Sequence, residues 1–448
     1  MEQLRRTAIG AVAVVAALSL AACGGSDDGG TDGEPTSGQS TSGGTGAEQP
    51  VPPAFDGAEG WTIQAEDGGD EPDRPVIAPG AGLVLVRTNA ADQKSTRVVA
   101  HDARTGKVRW SSAPMDRPTP GDGRDNIDVR VFVTSKDGKE YAVLAATGTE
   151  GGDGVNKASA VTRLAAYPTD STGEQVAPVK ETTLPGLASE GYGVLSDGGL
   201  AMVTLGRETA VVDVLSGSTT LHDGESPVLK APKPCERSFG SCDESAEIVG
   251  QTQAGPLVEG DQAFWSGGWF SGDVVPAGAA AEEGWAEVSV YGTPGGQVVA
   301  AWPKRGGSGD DRIWAVHDGR TGAVLASVEC GAPGNDGPVP FQSAGGRYVV
   351  AGLAVLDTQG GRGNCFRATD ARNRIEVVSV DDDGTAYGKA VKTDGVGSVD
   401  VPVSVDLAAD KATPLPEGTL LPDLVGARAA VFGTSTAGGE RIVVHARR

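Results

Sequence analysis

Val98-Val99-Ala100-His101-Asp102-Ala103-Arg104-Thr105-Gly106-Lys107-Val108-Arg109-Trp110 is the stretch whose reading decides the fold. A β-branched run leads into Asp-x-x-Thr-Gly, and a second run rich in strand formers leaves it. The Asp carboxylate can accept bonds from turn N–H groups, and the Gly can take the positive φ that closes a hairpin. The stretch therefore reads as strand, turn and return strand. It has a close copy in Trp314-Ala315-Val316-His317-Asp318-Gly319-Arg320-Thr321-Gly322-Ala323-Val324-Leu325. Weaker copies occur at Val212-Asp213-Val214-Leu215-Ser216-Gly217 and at Val378-Ser379-Val380-Asp381-Asp382-Asp383-Gly384. Leu164-Ala165-Ala166-Tyr167, leading to Ser171-Thr172-Gly173, is a further candidate.

The turn glycines fall at 106, 173, 217, 322 and 384. The gap from 217 to 322 is double length and should hide a degenerate unit near residue 270. A unit of roughly 45 to 65 residues is a propeller-blade period. Near the end of the sequence, Ile442-Val443-Val444-His445 matches the strand that precedes the turn in the other copies, but no return strand follows it. Trp61-Thr62-Ile63-Gln64-Ala65 can supply that strand and close the ring, which removes its open edges. The expected fold is all-β: a β-propeller of four-stranded blades spanning 58–448. This count gives seven blades, or eight if 123–184 or 226–303 holds two. Composition agrees. Among 448 residues, 68 are Gly and 27 are Pro, and only 38% are hydrophobic, which suits short strands joined by many turns.

The N-terminal region reads as an export signal. Arg5 and Arg6 precede an apolar run from Ala8 to Ala22. That run is shorter than the ~20 residues a membrane span needs and fits a secretory signal. It ends in Leu20-Ala21-Ala22-Cys23, similar to a bacterial lipobox, in which the cysteine becomes the lipidated first residue. The expectation is a signal peptide over 1–22, lipidation (palmitate included) at Cys23, and a tether over 23–57. That tether is Gly, Ser, Thr and acidic in character and has almost no large apolar side chain to bury. The arginine pair leaves the export route open between the general and the twin-arginine pathway. The address implied is the outer face of the cytoplasmic membrane. With Cys23 assigned to lipid, Cys235, Cys242, Cys330 and Cys365 remain, an even number in an exported chain. Cys235 with Cys242 is the local pairing, which leaves Cys330 with Cys365. A four-cysteine zinc site is disfavoured because no C-x-x-C occurs.

The run AHDARTGKVRW and its partner VHDGRTGAVLA resemble the repeat of the quinoprotein-like, or PQQ-like, β-propeller superfamily, in particular its exported lipoproteins. The composition, rich in Gly, Ala and Asp and poor in Lys, is similar to lipoproteins of high-GC Gram-positive bacteria. The resemblance implies a propeller; it does not imply catalysis, since fold and function separate. Quinone-dependent members use a vicinal cysteine pair and a Ca²⁺ site of Glu, Asn and Asp. This chain has no Cys-Cys, so no cofactor is expected.

Other candidate chemistry reads as structural. His101, His317 and His445 share one repeat position, so they point along separate radii and are expected to pack, not to bind a metal. His222 is isolated. Asp381-Asp382-Asp383-Gly384 lacks the alternating ligands and terminal Glu of a calcium loop. Gly306-Gly307-Ser308-Gly309 and Gly360-Gly361-Arg362-Gly363 do not fit a phosphate cradle. There is no G-x-S-x-G elbow. Ser135-Lys136-Asp137-Gly138 begins like a sialidase box but continues Lys139-Glu140-Tyr141. A net charge of −23 argues against nucleic acid, because no basic patch is present to displace counterions. One aromatic concentration stands out in a chain only 5% aromatic: Phe264, Trp265, Trp269 and Phe270, with Trp285 nearby. Trp and Phe are common binding anchors, and this segment is the expected partner surface. The functional expectation is a non-catalytic, lipid-anchored scaffold for a cell-envelope or extracellular protein. The alternative is a small-molecule or glycan binder, or a hydrolase, working at the channel mouth.

Overall fold

The computed structural model describes residues 49–63, 75–90, 94–119, 129–153, 155–186, 192–194, 198–205, 208–233, 245–280, 288–308, 310–332, 339–393, 398–436 and 439–448. Eight antiparallel sheets follow one another along these residues. From the innermost strand outwards, blade 1 is Val76–Ala78, Leu83–Asn89, Ser95–Asp102 and Val108–Ser112; blade 2 is Val129–Lys136, Lys139–Glu150, Ser159–Pro168 and Lys180–Pro185. Blade 3 is Tyr192–Val194, Leu200–Leu205, Glu208–Asp213 and Thr219–His222; blade 4 is Glu247–Thr252, Gly255–Glu259, Phe264–Ser266 and Trp269–Phe270. Blade 5 is Ser289–Gly292, Val298–Pro303, Asp311–His317 and Val324–Gly331; blade 6 is Phe341–Gln342, Tyr348–Ala351, Ala354–Asp357 and Arg362–Cys365. Blade 7 is Arg374–Val380, Thr385–Thr393, Ser398–Asp406 and Lys411–Pro414; blade 8 is Leu424–Val425, Ala429–Thr436, Gly439–Arg447 and Phe55–Ile63. The first strands of blades 1 to 5 touch in succession, as do those of blades 7 and 8, which places them around a central channel. Blade 1 gains two short strands: Met115–Asp116 on its third strand and Gly173–Val176, parallel, on its outermost.

The ring closes as the repeat pattern requires. The N-terminal strand runs antiparallel to Gly439–Arg447, with Phe55 opposite Arg447, Trp61 opposite Val444 and Ile63 opposite Ile442. Gln64 and Ala65 lie outside the described residues. The N-terminal strand begins at Phe55, three residues before residue 58. The reason is apolar: Phe55 is fully buried against Tyr387, Val425, Ala430 and Phe432, with Val51 and Ala54 packed beside it.

There are eight blades, the larger of the two expected counts, and the extra one lies outside both stretches suspected of holding it. The copy at Val378–Gly384 is the turn between the first and second strands of blade 7, not a third-to-fourth turn. The true third-to-fourth turns nearby are Asp357–Gly361 in blade 6 and Asp406–Asp410 in blade 7. Both keep the chemistry and lose the letters. Asp357 Oδ1 accepts from the N–H groups of Gln359 and Gly360, and Asp406 Oδ1 from those of Ala408 and Ala409. Asp102 and Asp318 do the same for Thr105 and Thr321, whose hydroxyls also donate to them. The residue four positions after each Asp is left-handed: φ is +69° at Gly106, +76° at Gly217, +74° at Gly322 and +69° at Gly361. In blade 7 that place is held by Asp410 at +49°, a residue type that tolerates this region. The degenerate unit near residue 270 is blade 4, whose third-to-fourth turn is only Gly267-Gly268.

Adjacent blades are joined by a repeated contact. Trp61, Trp110 and Trp269 sit on the outermost strands of blades 8, 1 and 4. Each indole Nε1–H donates to a carbonyl in the third-to-fourth turn of the next blade: Ala103 at 3.2 Å, Thr169 at 3.1 Å and Gly319 at 3.2 Å. The turn glycine makes room for the ring. A Cβ on Gly106 would lie 2.6 Å from Trp61, and one on Gly322 2.6 Å from Trp269. A side chain at either position would therefore meet both a steric clash and a left-handed backbone.

Cys330 and Cys365 form a disulfide between the outermost strands of blades 5 and 6, as expected. The bond bridges a separation of 35 residues. Constraint of the unfolded chain over such a loop contributes about 2–4 kcal/mol. Replacing both cysteines by serine should lower the unfolding free energy by that amount, measured by denaturant titration of oxidised protein. An unchanged midpoint would show that the two blades hold together without it.

Candidate functional site

The expected partner surface is interior. Phe264 is 0% exposed, Trp265 4% and Trp269 7%; only Phe270 is half-buried. Phe264 packs edge-on against Trp269, Trp302 and His317 at 5.8, 5.7 and 5.6 Å between centroids. Trp265 donates its Nε1–H to Val228 O beneath the segment that leaves blade 3. Blade 4 has short outer strands, and large rings fill the volume that longer strands would occupy. Those rings are core and are not available to a partner. Trp285, Cys23, Cys235 and Cys242 lie outside the described residues.

The histidines occupy equivalent places and do not converge. Nδ1 of His101 lies 3.0 Å from Gly106 O, that of His317 2.9 Å from Gly322 O, and that of His445 2.9 Å from Asp56 O. A carbonyl only accepts, so each Nδ1 carries the proton. In blade 8 the N-terminal strand supplies the acceptor that the turn supplies elsewhere. His317 is fully buried, and its Nε2 accepts from Trp302 Nε1 at 3.2 Å. Both ring nitrogens are thus satisfied only in the neutral form. Burial holds its pKa down at about 4, against 6.5 for a free imidazole; the bond to Gly322 O opposes this weakly. His222 bonds Ser226 Oγ and is likewise lowered by burial.

The His317 shift has a pH consequence. Between pH 6.5 and about 4 the unfolded chain binds a proton that the folded chain refuses. Stability is therefore complete above pH 6.5 and is lost as pH falls towards 4, by up to roughly 3 kcal/mol. The expected result is that His317→Gln, which cannot take up that proton, loses less stability between pH 7 and pH 4.5 than the parent chain. Parallel losses in the two proteins would contradict this assignment.

Asp381 is a buried turn residue. Its Oδ1 accepts from Asp383 N and Thr385 N, and its Oδ2 from Arg447 of blade 8 at 2.9 Å. Burial pushes its carboxyl pKa up despite these donors. Arg447 also reaches Asp383 at 2.7 Å, so the pair of carboxylates ties blade 7 to the closing blade. Gly360 and Gly361 belong to the blade 6 turn. Among the described residues no group of three or more His, Cys, Asp or Glu has the placement to hold a metal ion.

The concavity that the sequence did not reveal is a cleft of about 320 Å³ between blades 4 and 5, lined among others by Ser245, Glu247, Glu259, Asp261, Gln262 and Ser289. It opens on the face where one blade connects to the next. Glu247 and Glu259 are directly opposite in the register of the first two strands of blade 4. Like charges so placed repel. Glu259 offsets part of this by accepting from Val290 N at 2.8 Å, across the blade boundary. The arrangement can receive ammonium or guanidinium groups as ion pairs, and hydroxyl or amide donors along its polar walls. In a chain with 60 acidic residues these three carried no signal of their own. The twelve-residue spacing of Glu247 and Glu259 acquires meaning only once the intervening hairpin fixes their register.

No family model matches this chain, and no curated protein matches it. Solved structures resemble it at low identity. A dipeptidyl peptidase 4 of Porphyromonas gingivalis is 11% identical, with a TM-score of 0.41, over 82% of this chain and 57% of its own. The β-propeller domain of the Trilobed protease from Pyrococcus furiosus is 6% identical, with a TM-score of 0.33, over 71% of this chain and 81% of its own. Hsv2 of Kluyveromyces marxianus is 9% identical, with a TM-score of 0.33, over 78% of this chain and 98% of its own. This chain therefore spans little more than half of the peptidase.

Proposed function

We propose that this protein is a lipid-anchored, extracytoplasmic β-propeller, of the quinoprotein-like repeat type, that serves as a non-catalytic scaffold for a cell-envelope or extracellular protein. The observation that carries the reading is the use made of its distinctive side chains. Trp61, Trp110 and Trp269 join blades, His101 and His317 close turns, and His445 holds the N-terminal strand, so the chemistry suggested by the motif is spent on building the ring. The Cys330–Cys365 bond supports an oxidising compartment. The lipobox ending at Cys23 supports the anchor. The acidic cleft between blades 4 and 5 replaces the aromatic segment as the surface where a partner's basic groups would dock.

The test is an in-cell crosslink and pull-down of the tagged protein, with Cys23→Ser as a control. The expected result is one protein enriched in near-stoichiometric amount and lost from the control. Clean recovery of bait alone would favour the second reading, a small-molecule or glycan ligand at the channel mouth. That reading predicts a ligand-dependent rise in melting temperature.

A further inference from the structure

One face of the ring carries the turns between first and second strands and between third and fourth strands. Where blades 8 and 1 meet on this turn face, ring closure gathers basic side chains that are far apart in the sequence. Arg104, Lys107 and Arg109 belong to the third-to-fourth turn of blade 1 and the strand that leaves it. Arg428 belongs to the first-to-second turn of blade 8; Arg447 and Arg448 lie beside it, since Arg447 N donates to Arg428 O at 2.9 Å. A Cβ on Gly82 would lie 3.1 Å from Arg428 Cδ and 3.2 Å from its Nε and Nη1, so this side chain rests on the first-to-second turn of blade 1. Gly82 O in turn accepts from Ala103 N at 3.0 Å. Arg428, Gly82 and Ala103 line one recess between the two blades, and Arg104 follows Ala103 directly. These six cations stand against two carboxylates on the same turns and strand ends, Asp56 and Asp102. A sequence with a net charge of −23 conceals this balance, because positions 104–109 and 428–448 meet only when the ring closes.

Half of these cations are engaged. Arg109 lies 3.6 Å from Asp102, Arg448 lies 4.0 Å from Asp56, and Arg447 bonds Asp381 and Asp383 of blade 7. Asp102 is further occupied by the N–H and the hydroxyl of Thr105. Glu140 of blade 2 also reaches this region, but its carboxylate accepts from Gly80 N and Ala81 N at 3.2 and 3.0 Å. Arg104, Lys107 and Arg428 are exposed, and their side chains have no ion-pair or hydrogen-bond partner among the described residues. Three free cations therefore share one seam, and the carboxylates of Asp56, Asp102 and Glu140 around them are engaged. The patch is local. The next turns carry Asp137, Asp170 and Glu174 in blade 2 and Asp381, Asp382 and Asp383 in blade 7. Exposed charges act over about 8 Å at physiological salt. A bilayer or a long polyanion laid on this face would meet those acidic turns as well. A short acidic segment meets only the seam, where a guanidinium can hold a carboxylate through paired N–H bonds.

We propose that the seam of blades 8 and 1 on the turn face is a docking surface for a short acidic segment of a partner protein, with Arg104, Lys107 and Arg428 as its ion-pairing groups. It is separate from the acidic cleft, which lies between blades 4 and 5, and it needs no lipid at Cys23. The test titrates the full chain into a fluorescein-labelled tetraglutamate peptide, followed by anisotropy at low and at physiological salt. Loss of three exposed pairs predicts affinity about tenfold lower in the triple variant Arg104→Gln, Lys107→Gln and Arg428→Gln. A second triple variant, Lys157→Gln, Lys230→Gln and Lys392→Gln, removes the same charge from exposed positions elsewhere. It should bind within about twofold of the parent. Thermal melts establish that both variants are folded. Absence of saturable binding by the parent at low salt, or equal losses in the two triple variants, overturns the proposal. Sedimentation with phosphatidylglycerol vesicles that only the first triple variant abolishes, without peptide binding, overturns it in favour of a membrane surface.

Discussion

Phe55→Ala should destabilise the protein by about 3–5 kcal/mol, the range for emptying a fully buried aromatic site. Phe55 has no exposed surface. Its ring lies 5.5 Å from Phe432, edge to face, and 5.7 Å from Tyr387. It therefore bridges blade 8, to which its own strand belongs, and blade 7. Truncation removes ring contacts from both sides of one boundary and loosens the end of the strand that closes the ring. The outermost strands of other blades are flanked by their own chain through short turns; this one is joined to the rest of blade 8 by pairing alone. Chemical denaturation of the folded variant measures the loss. A change below 1 kcal/mol would mean that the N-terminal strand is not a structural member of the ring.

Trp269→Ala should cost a similar amount, about 3–5 kcal/mol. Its indole fills the space above Gly322, packs on Phe264 and donates to Gly319 O. Alanine leaves a cavity between blades 4 and 5 and a carbonyl without its partner, and the two losses add to one another. Trp269→Phe separates them: it keeps most of the apolar volume and gives up only the bond, so its cost should be smaller by about 2 kcal/mol or more. Equal costs for the two variants would show that the bond, not the packing, joins these blades. The boundary it weakens is the one along which the acidic cleft runs.

The repeat was legible because two turns, at Asp102–Gly106 and Asp318–Gly322, keep both the chemistry and the letters of the motif. The eighth blade was hidden because the turns at Asp357–Gly361 and Asp406–Asp410 keep the chemistry alone. An Asp that accepts two N–H bonds and a residue at positive φ suffice to make the turn, and Thr-Gly is only one way of writing it. A false copy at Asp381–Gly384 filled the gap, since a first-to-second turn obeys the same local physics. The aromatic segment misled for a related reason. Composition reports where large rings are concentrated but not which way they face, and Phe264, Trp265 and Trp269 face inwards. The Cys330–Cys365 pairing was legible by elimination within an even set. The cleft was not, because its carboxylates meet through strand register and across a blade boundary, neither of which a linear reading supplies.

The closure of the ring by its N-terminal strand is the claim on which the remaining arguments depend, and a cross-strand bond tests it most directly. Thr62 and Val443 are directly opposite in the register. Opposed side chains in an antiparallel pair have Cβ atoms about 4.5–5.5 Å apart, within a small adjustment of disulfide geometry. The double variant Thr62→Cys and Val443→Cys should oxidise in air to a bond that joins the two ends of the folded chain. Peptide mapping by mass spectrometry should recover that crosslink from protein that melts at or above the parent temperature. Free thiols at both positions in folded protein would contradict the account, and would place the strand from Phe55 to Ile63 somewhere other than the outer edge of the eighth blade.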